Sequence, residues 1–222
     1  MCGRFTMLTY DEVLDIVRSI EFGTPLNPEP EWPARGSEAF PGSMVPLIVP
    51  GENRRLEVAE FLWGYPVSWQ KSVVFNTRIE SALACGGMWS DSLRQRRCIV
   101  PTLGFCEPHR SETFRNPRTG RACKQQYRFT LPGSPLALLA GVYESNYFSV
   151  VTTEPNDNVS PIHDRMPLVL RNQEVPHWLG SNYADLADRS AVELSPERVV
   201  VQRSAQDGPD KLDNPNDQLS LF

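Results

Sequence analysis

The chain has 222 residues, 40% of them hydrophobic, 20 prolines and a formal net charge of −5. That length suits one sizeable domain with a real core, and the longest apolar block, residues 136–143, is far too short to span a bilayer. The acidic balance by itself argues against nucleic acid, and five cysteines with no CxxC pair argue against a disulfide framework.

The chain starts Met1-Cys2-Gly3-Arg4-Phe5. If Met1 is removed, by an aminopeptidase or by self-cleavage, Cys2 carries a free α-amine and a thiol on one residue. Such an aminothiol condenses with an aldehyde to an imine, and the thiol closes a five-membered thiazolidine. The α-amine titrates at about 7.7–8.0, so part of it is neutral at pH 7. Taken alone, position 2 is more often simply a place for a small residue. No long apolar run follows, and Asp11 and Glu12 come early, so no signal peptide is expected and the protein is expected to be soluble and cytoplasmic.

Thr9-Tyr10-Asp11-Glu12 has capping-box form and starts a helix. Val13, Val17 and Ile20 continue it at helical spacing until Gly23 or Pro25. A Pro/Gly-rich loop follows over 23–43. Residues 44–49 and 56–63 read as strands around the turn at 50–53, and 73–75 as a short strand leading into Asn76, with a short helix behind it. Further strands are expected at 98–100, 126–130, 136–143, 147–153 and 199–202, and short helices at 174–179 and 183–187. Many short strands with few helices predict an α+β fold, a single domain over 1–204 with a curved, largely antiparallel, barrel-like β-sheet. Residues 205–217 are polar and rich in Asp, Asn and Pro, the composition of a disordered linker, and the chain ends Gln218-Leu219-Ser220-Leu221-Phe222.

Charge is unevenly placed. From Arg94 to Arg128 there are nine basic residues against two acidic ones, a net +7, so the remainder carries −12. A basic stretch inside an acidic protein can follow phosphates, or it can simply be a solvated loop.

Three polar clusters join Cys2 as candidates for chemistry: Asn76-Thr77-Arg78-Ile79-Glu80, Gly104-Phe105-Cys106-Glu107, and Ile162-His163-Asp164-Arg165-Met166-Pro167. Each is weak alone. Cys98, Cys106, His109 and Cys123 offer four zinc-type ligands, but only Cys106 and His109 form a tight pair, so free thiols are the better reading.

Together with the start Met-Cys-Gly-Arg-Phe and with Phe61-Leu62-Trp63-Gly64 followed by Trp69, these clusters fall in the order and approximate spacing of one family. From Cys2 to about Leu170 the chain resembles the SRAP family, the SOS-response-associated peptidases, understood as abasic-site processing proteins. The resemblance implies that Cys2 captures the aldehyde of an abasic site in single-stranded DNA as a stable thiazolidine crosslink. It implies that Asn76 orients Cys2 and the sugar, that Glu107 moves protons during imine formation, and that His163 protonates the sugar ring oxygen. Arg78 and Arg165, with Arg4 as a lesser contact, would hold flanking phosphates, and Trp69 would stack on a base or wedge at a strand junction. No cofactor or metal is implied, and a monomer that joins the nucleoid when at DNA is expected.

The chain departs from the family pattern at Pro108, where an aromatic residue usually follows the glutamate, and at Glu38, where the family has Asn. The main rival reading is a thiol peptidase or self-processing hydrolase with Cys2 as nucleophile and His163 as base. A non-covalent DNA-binding protein is another. The terminal Gln218, Leu219, Leu221 and Phe222 resemble the pentapeptide with which bacterial repair proteins dock on the sliding clamp, so that clamp is an expected partner.

Overall fold

A computed structural model describes residues 2–23, 37–84, 86–117 and 119–200. The expected linker and the expected clamp-binding residues Gln218, Leu219, Leu221 and Phe222 lie outside the described residues.

The chain begins with β1 (Arg4–Met7) and then α1 (Tyr10–Phe22). The Thr9 side chain accepts the Glu12 N–H while the Glu12 carboxylate accepts the Thr9 N–H, the reciprocal cap expected from the sequence. Gly23 ends the helix at φ 61°, a left-handed conformation that glycine adopts without a Cβ penalty. Next come β2 (Glu38–Ala39), β3 (Met44–Pro50), β4 (Leu56–Trp63) and β5 (Asn76–Arg78), which runs straight into α2 (Ile79–Leu83). α3 (Ser90–Gln95) leads into the 19-residue β6 (Arg97–Arg115), followed by β7 (Ala122–Thr130), β8 (Ala137–Glu144) and β9 (Tyr147–Thr153). The last elements are β10 (Met166–Pro167), β11 (Val169–Leu170), α4 (Val175–Leu179), a 3₁₀ turn over Tyr183–Leu186, and β12 (Ser195–Arg198).

The strands form one mostly antiparallel, 12-stranded sheet. It closes on itself through β3, β4, β9, β8 and β6: β4 pairs β9, β9 pairs β8, β8 pairs β6, and Ile48 of β3 meets Ile99 of β6. Both faces of β3, β8, β9 and the first part of β6 are buried, while β4 exposes Glu57 and Glu60. Val45, Leu47, Cys98, Val100, Leu139 and Val150 point into the ring, while Ile48, Ile99, Leu138, Ala140 and Val151 pack outward against α1 and the segment around Trp178. The alternation is the period-2 pattern of strands, but with both sets apolar the strands read as continuous hydrophobic runs. The expected barrel-like α+β fold is the fold observed.

Several boundaries differ from the sequence expectation. The strand expected at 73–75 starts at Asn76 instead, and Val74 makes only an isolated bridge to Tyr65. The last described strand is Ser195–Arg198 rather than 199–202. The basic stretch is not one patch. Arg97 is buried, and its guanidinium donates to the carbonyls of Leu93, Arg94, Trp178, Leu179 and Gly180, closing the C-terminal ends of α3 and α4. Arg110, Arg115, Arg121 and Lys124 lie exposed on the β6–β7 hairpin, which projects past the ring.

No helix among the described residues is long and apolar enough to cross a membrane.

Candidate active site

Four segments meet at the start of the chain. Cys2 is fully buried in the same apolar cluster as Phe5, Trp63 and Phe148. Trp63 ties two of these segments together. Its ring lies 4.7 Å from that of Phe5, and its Nε1–H donates to the Phe75 carbonyl at 2.9 Å. One tryptophan therefore fixes both the strand after Cys2 and the residue before Asn76.

Asn76 starts β5, which lies parallel to β9 with Asn76 opposite Val150. Hydroxyls lock this short strand in place: Thr77 bonds Ser149 at 2.8 Å and Thr152 bonds the Thr77 carbonyl at 3.4 Å. Asn76 Nδ2 donates to the Cys2 carbonyl at 2.9 Å. That bond assigns the amide orientation and leaves Oδ1 buried, with no hydrogen-bond partner among the described residues. Such an acceptor is costly to leave unused.

Glu107 reaches the site through a bulge in β6. Phe5 faces Phe105, but Met7 faces Thr102, so β6 carries one extra residue there. Gly104 takes φ 150° at this point, and a Cβ would sit 2.9 Å from both Arg128 Nε and the Phe129 carbonyl. The Thr102 hydroxyl staples the bulge, its one proton shared between the Thr6 and Gly104 carbonyls and its oxygen accepting the Gly104 N–H. The Glu107 carboxyl is fully buried, and burial pushes it up to about 7.

His163 sits on the loop between β9 and β10. Asn156 shapes that loop, accepting the N–H groups of Asn158 and Val159 and donating to the Val192 carbonyl. The Arg110 N–H donates to the Ile162 carbonyl, which holds the loop against β6. His163 Nε2 lies 3.9 Å from Glu107 Oε2. The Arg165 N–H points at Nδ1 at 3.1 Å, and the Asp164 carboxylate stands at the same distance from that nitrogen. The Arg165 carbonyl is 3.0 Å from the same Nδ1 and receives its proton when the ring is charged. Burial lowers His163 below its ordinary value, so the neutral form dominates at pH 7.

The Cys2 thiol is pushed well up, first by burial and then by the Glu107 charge, and its contact is the Arg4 carbonyl at 3.8 Å. At rest it is a thiol, not a thiolate. Among the described residues no group of three or more His, Cys, Asp or Glu side chains is placed to hold a metal.

The remaining sequence candidates divide. Arg78 is exposed at the end of β5, and Trp69 is 68% exposed on the loop before it. Arg4 is largely covered and faces Glu38, with Nε 3.5 Å from Oε1. The departure at Glu38 thus supplies Arg4 with a counter-charge. Arg165 does not face solvent as a phosphate contact would. It is buried and paired with Glu80 and Glu154. Glu80 had no assigned part in the sequence reading, although it stands four residues after Asn76. Only the fold shows its partner, 85 positions away.

The family described as SOS response associated peptidase (SRAP) matches residues 1–203. The chain is 30% identical over 199 residues to the abasic site processing protein YoqW of Bacillus subtilis, covering 83% of each. It is 28% identical over 210 residues to the abasic site processing protein YedK of Escherichia coli, covering 90% of this chain and 87% of that one. The fold is similar to the crystal structure of a phage-related protein from Bordetella bronchiseptica, with a TM-score of 0.64 at 20% identity over 89% of this chain and 94% of that one. A protein from Bacteroides thetaiotaomicron superposes with a TM-score of 0.63 at 19% identity, over 90% and 92% of the two chains. The family match takes in the closed ring and all four segments that converge on Cys2, and the chain belongs to the SRAP family.

Proposed function

We propose that this protein processes abasic sites in single-stranded DNA, and that it does so by covalent capture through Cys2 once Met1 is gone. The observation that carries this reading is the gathering of buried Cys2, Asn76 and Glu107 with half-buried His163 around the start of the chain. The names of the relatives in Bacillus subtilis and Escherichia coli support the substrate.

The steps follow from the protonation states. An abasic sugar is mostly a closed ring, and opening it requires a proton on the ring oxygen. His163 takes a proton at Nε2 from Glu107, which holds one near neutrality, and the imidazolium so formed passes it to the ring oxygen, while Glu107 regains a proton from the anomeric hydroxyl as the aldehyde forms. The Cys2 amine then adds to the aldehyde carbon, and loss of one water gives the imine. Glu107 delivers the proton that leaves with that water. The thiol sulfur adds to the same carbon while its proton ends on the nitrogen. Ring closure is intramolecular and gains from effective concentration. Asn76 Oδ1 is the open acceptor that holds an N–H or a sugar hydroxyl in line.

A peptidase using Cys2 as nucleophile requires a thiolate, whereas burial and Glu107 both keep this thiol protonated. The aminothiol route uses the amine first and tolerates a thiol. Exposed Arg78 and Trp69, with the basic β6–β7 hairpin, provide grip on phosphates and neighbouring bases. The terminal residues Gln218, Leu219, Leu221 and Phe222 would tether the protein to a sliding clamp.

The test is incubation with an oligonucleotide bearing one abasic site, followed by a denaturing gel. A heat-stable shifted band is expected with abasic single-stranded DNA and not with an intact strand. Catalytic cleavage of peptides with no such band would establish the peptidase reading instead.

A further inference from the structure

Arg4, Cys106 and Arg128 stand in one row across three neighbouring strands. Arg4 of β1 is opposite Cys106 of β6, and Cys106 is opposite Arg128 of β7. Residues directly opposite one another in a sheet share a face, and adjacent strands lie about 4.8 Å apart. The two arginines are therefore about 10 Å apart at the backbone, on one face, with a small thiol between them. The row borders the site: Arg4 comes two residues after Cys2, and Cys106 directly precedes Glu107.

Neither guanidinium is fully satisfied. Arg4 faces the Glu38 carboxylate, with Nε 3.5 Å from Oε1, yet its buried Nε and Nη2 have no hydrogen-bond partner. Arg128 gives a hydrogen bond from Nη2 to the Leu103 carbonyl at 3.1 Å, while its buried Nε has none. A guanidinium carries five donors, and covered donors without acceptors are costly. The thiol between the arginines feels all of these charges. Burial pushes Cys106 up, Arg4 pulls it down, Glu38 pushes it up and Arg128 pulls it down. Glu197 of β12 stands beside Arg128 in the register, but it is exposed and forms no ion pair with Arg128 among the described residues.

We propose that Arg4 and Arg128 form a seat for one backbone phosphate of the single strand beside the abasic sugar, and that Glu38 partly fills this seat in the free protein. The proposal rests on the function given above and gives Arg128 a part in binding. Two guanidiniums against one carboxylate leave an excess positive charge. A phosphate diester that displaces Glu38 carries the same charge as the carboxylate, and its tetrahedral oxygens suit two planar forks. The Glu38 side chain is 45% exposed, so it can turn into water as the strand arrives, and an exposed carboxylate is a weak hold. Gly104 makes the seat possible. Arg128 lies against it, and a Cβ there would meet Arg128 Nε at 2.9 Å. The bulge that aims Glu107 into the site thus also beds Arg128.

The test uses a strand carrying a tetrahydrofuran abasic analogue, which has no aldehyde and so binds without crosslinking. Each phosphate flanking the analogue is replaced in turn by an uncharged methylphosphonate, and affinity is measured for wild type, Arg128→Gln and Glu38→Gln. In wild type one flanking position is expected to cost about ten-fold. In Arg128→Gln the same position should cost less than about two-fold, and the salt slope on the unmodified strand should fall by about 0.7, one phosphate on a single strand. Arg128→Lys keeps the charge without the fork and should fall between, and it carries the test should Arg128→Gln fail to fold. Glu38→Gln is expected to tighten binding about two- to five-fold. A scan in which no position separates wild type from the Arg128 variants, at unchanged salt slope, would overturn the seat. Unchanged or weaker binding by Glu38→Gln would show that Glu38 does not occupy it. Should wild type form no crosslink with a natural abasic site, the proposed capture fails, while the scan still decides whether Arg128 holds a phosphate.

Discussion

At the residue scale the site is organised by what burial does to three titratable groups. On the proposed route the amine of Cys2 is the first nucleophile and its thiol the second, so the two functions should separate on mutation. Cys2→Ala should abolish the heat-stable crosslink on a denaturing gel. Cys2→Ser should give at most an imine that borohydride traps, since a hydroxyl closes the ring poorly. Glu107 sets the pH response. The rate should rise as the amine loses its proton toward about 8 and fall as Glu107 ionises through about 7. A bell with its top near neutrality is expected, and Glu107→Gln should keep only the rising limb while running about 100-fold slower. Stability follows the same group. A carboxyl raised from 4.5 to about 7 on folding binds its proton more tightly in the folded state. Stability is therefore fully present below about 4.5 and falls as pH rises to about 7. Glu107→Gln removes that loss and should raise stability at pH 8 by up to about 3 kcal/mol, at 1.36 kcal/mol per unit. Urea unfolding at pH 5 and pH 8 would show it, and equal loss of stability at both would contradict it.

At the element scale, the capping box of α1, the strands β3, β4 and β9, and the barrel-like sheet were legible because they depend on local signals. The full length of β6 was not. Its Pro101, Gly104 and Pro108 are turn residues by local rules, and they are carried through one strand because β8, β1 and β7 pair with it in succession. α3 was missed because it is only six residues long and lacks a side-chain cap. Asn76, Glu107 and His163 were legible only as a set in family order, and their distances came from the fold. The Glu80–Arg165 pairing was out of reach for any local rule, since its members lie 85 positions apart. The bulge at Gly104 aims Glu107, and it has a measurable cost if filled. Gly104→Ala places a Cβ 2.9 Å from the Phe129 carbonyl at φ 150°. A strain of about 1–3 kcal/mol should lower Tm by about 2–12 °C in a domain of this size. An unchanged melting curve would show that the bulge is not held as described.

On the scale of the whole molecule, a chain of net charge −5 must bind DNA locally. Arg78→Ala should weaken binding to an intact single strand and reduce the salt slope by about 0.7, as loss of one phosphate contact would. The tail should act separately from the site. Removing Leu221 and Phe222 should eliminate binding to a bacterial sliding clamp in calorimetry and leave crosslinking of free oligonucleotides unaltered. Clamp binding that survives the truncation would place the contact elsewhere. The central claim is that an N-terminal Cys2 becomes covalently bound to the abasic sugar, and intact-mass spectrometry of the purified protein before and after reaction tests it most directly. The account predicts a protein lacking Met1 that gains the mass of the abasic oligonucleotide less one water, with Cys2 at the junction after proteolysis. A protein that keeps Met1 and still crosslinks, or an adduct mapped to a lysine, would contradict it.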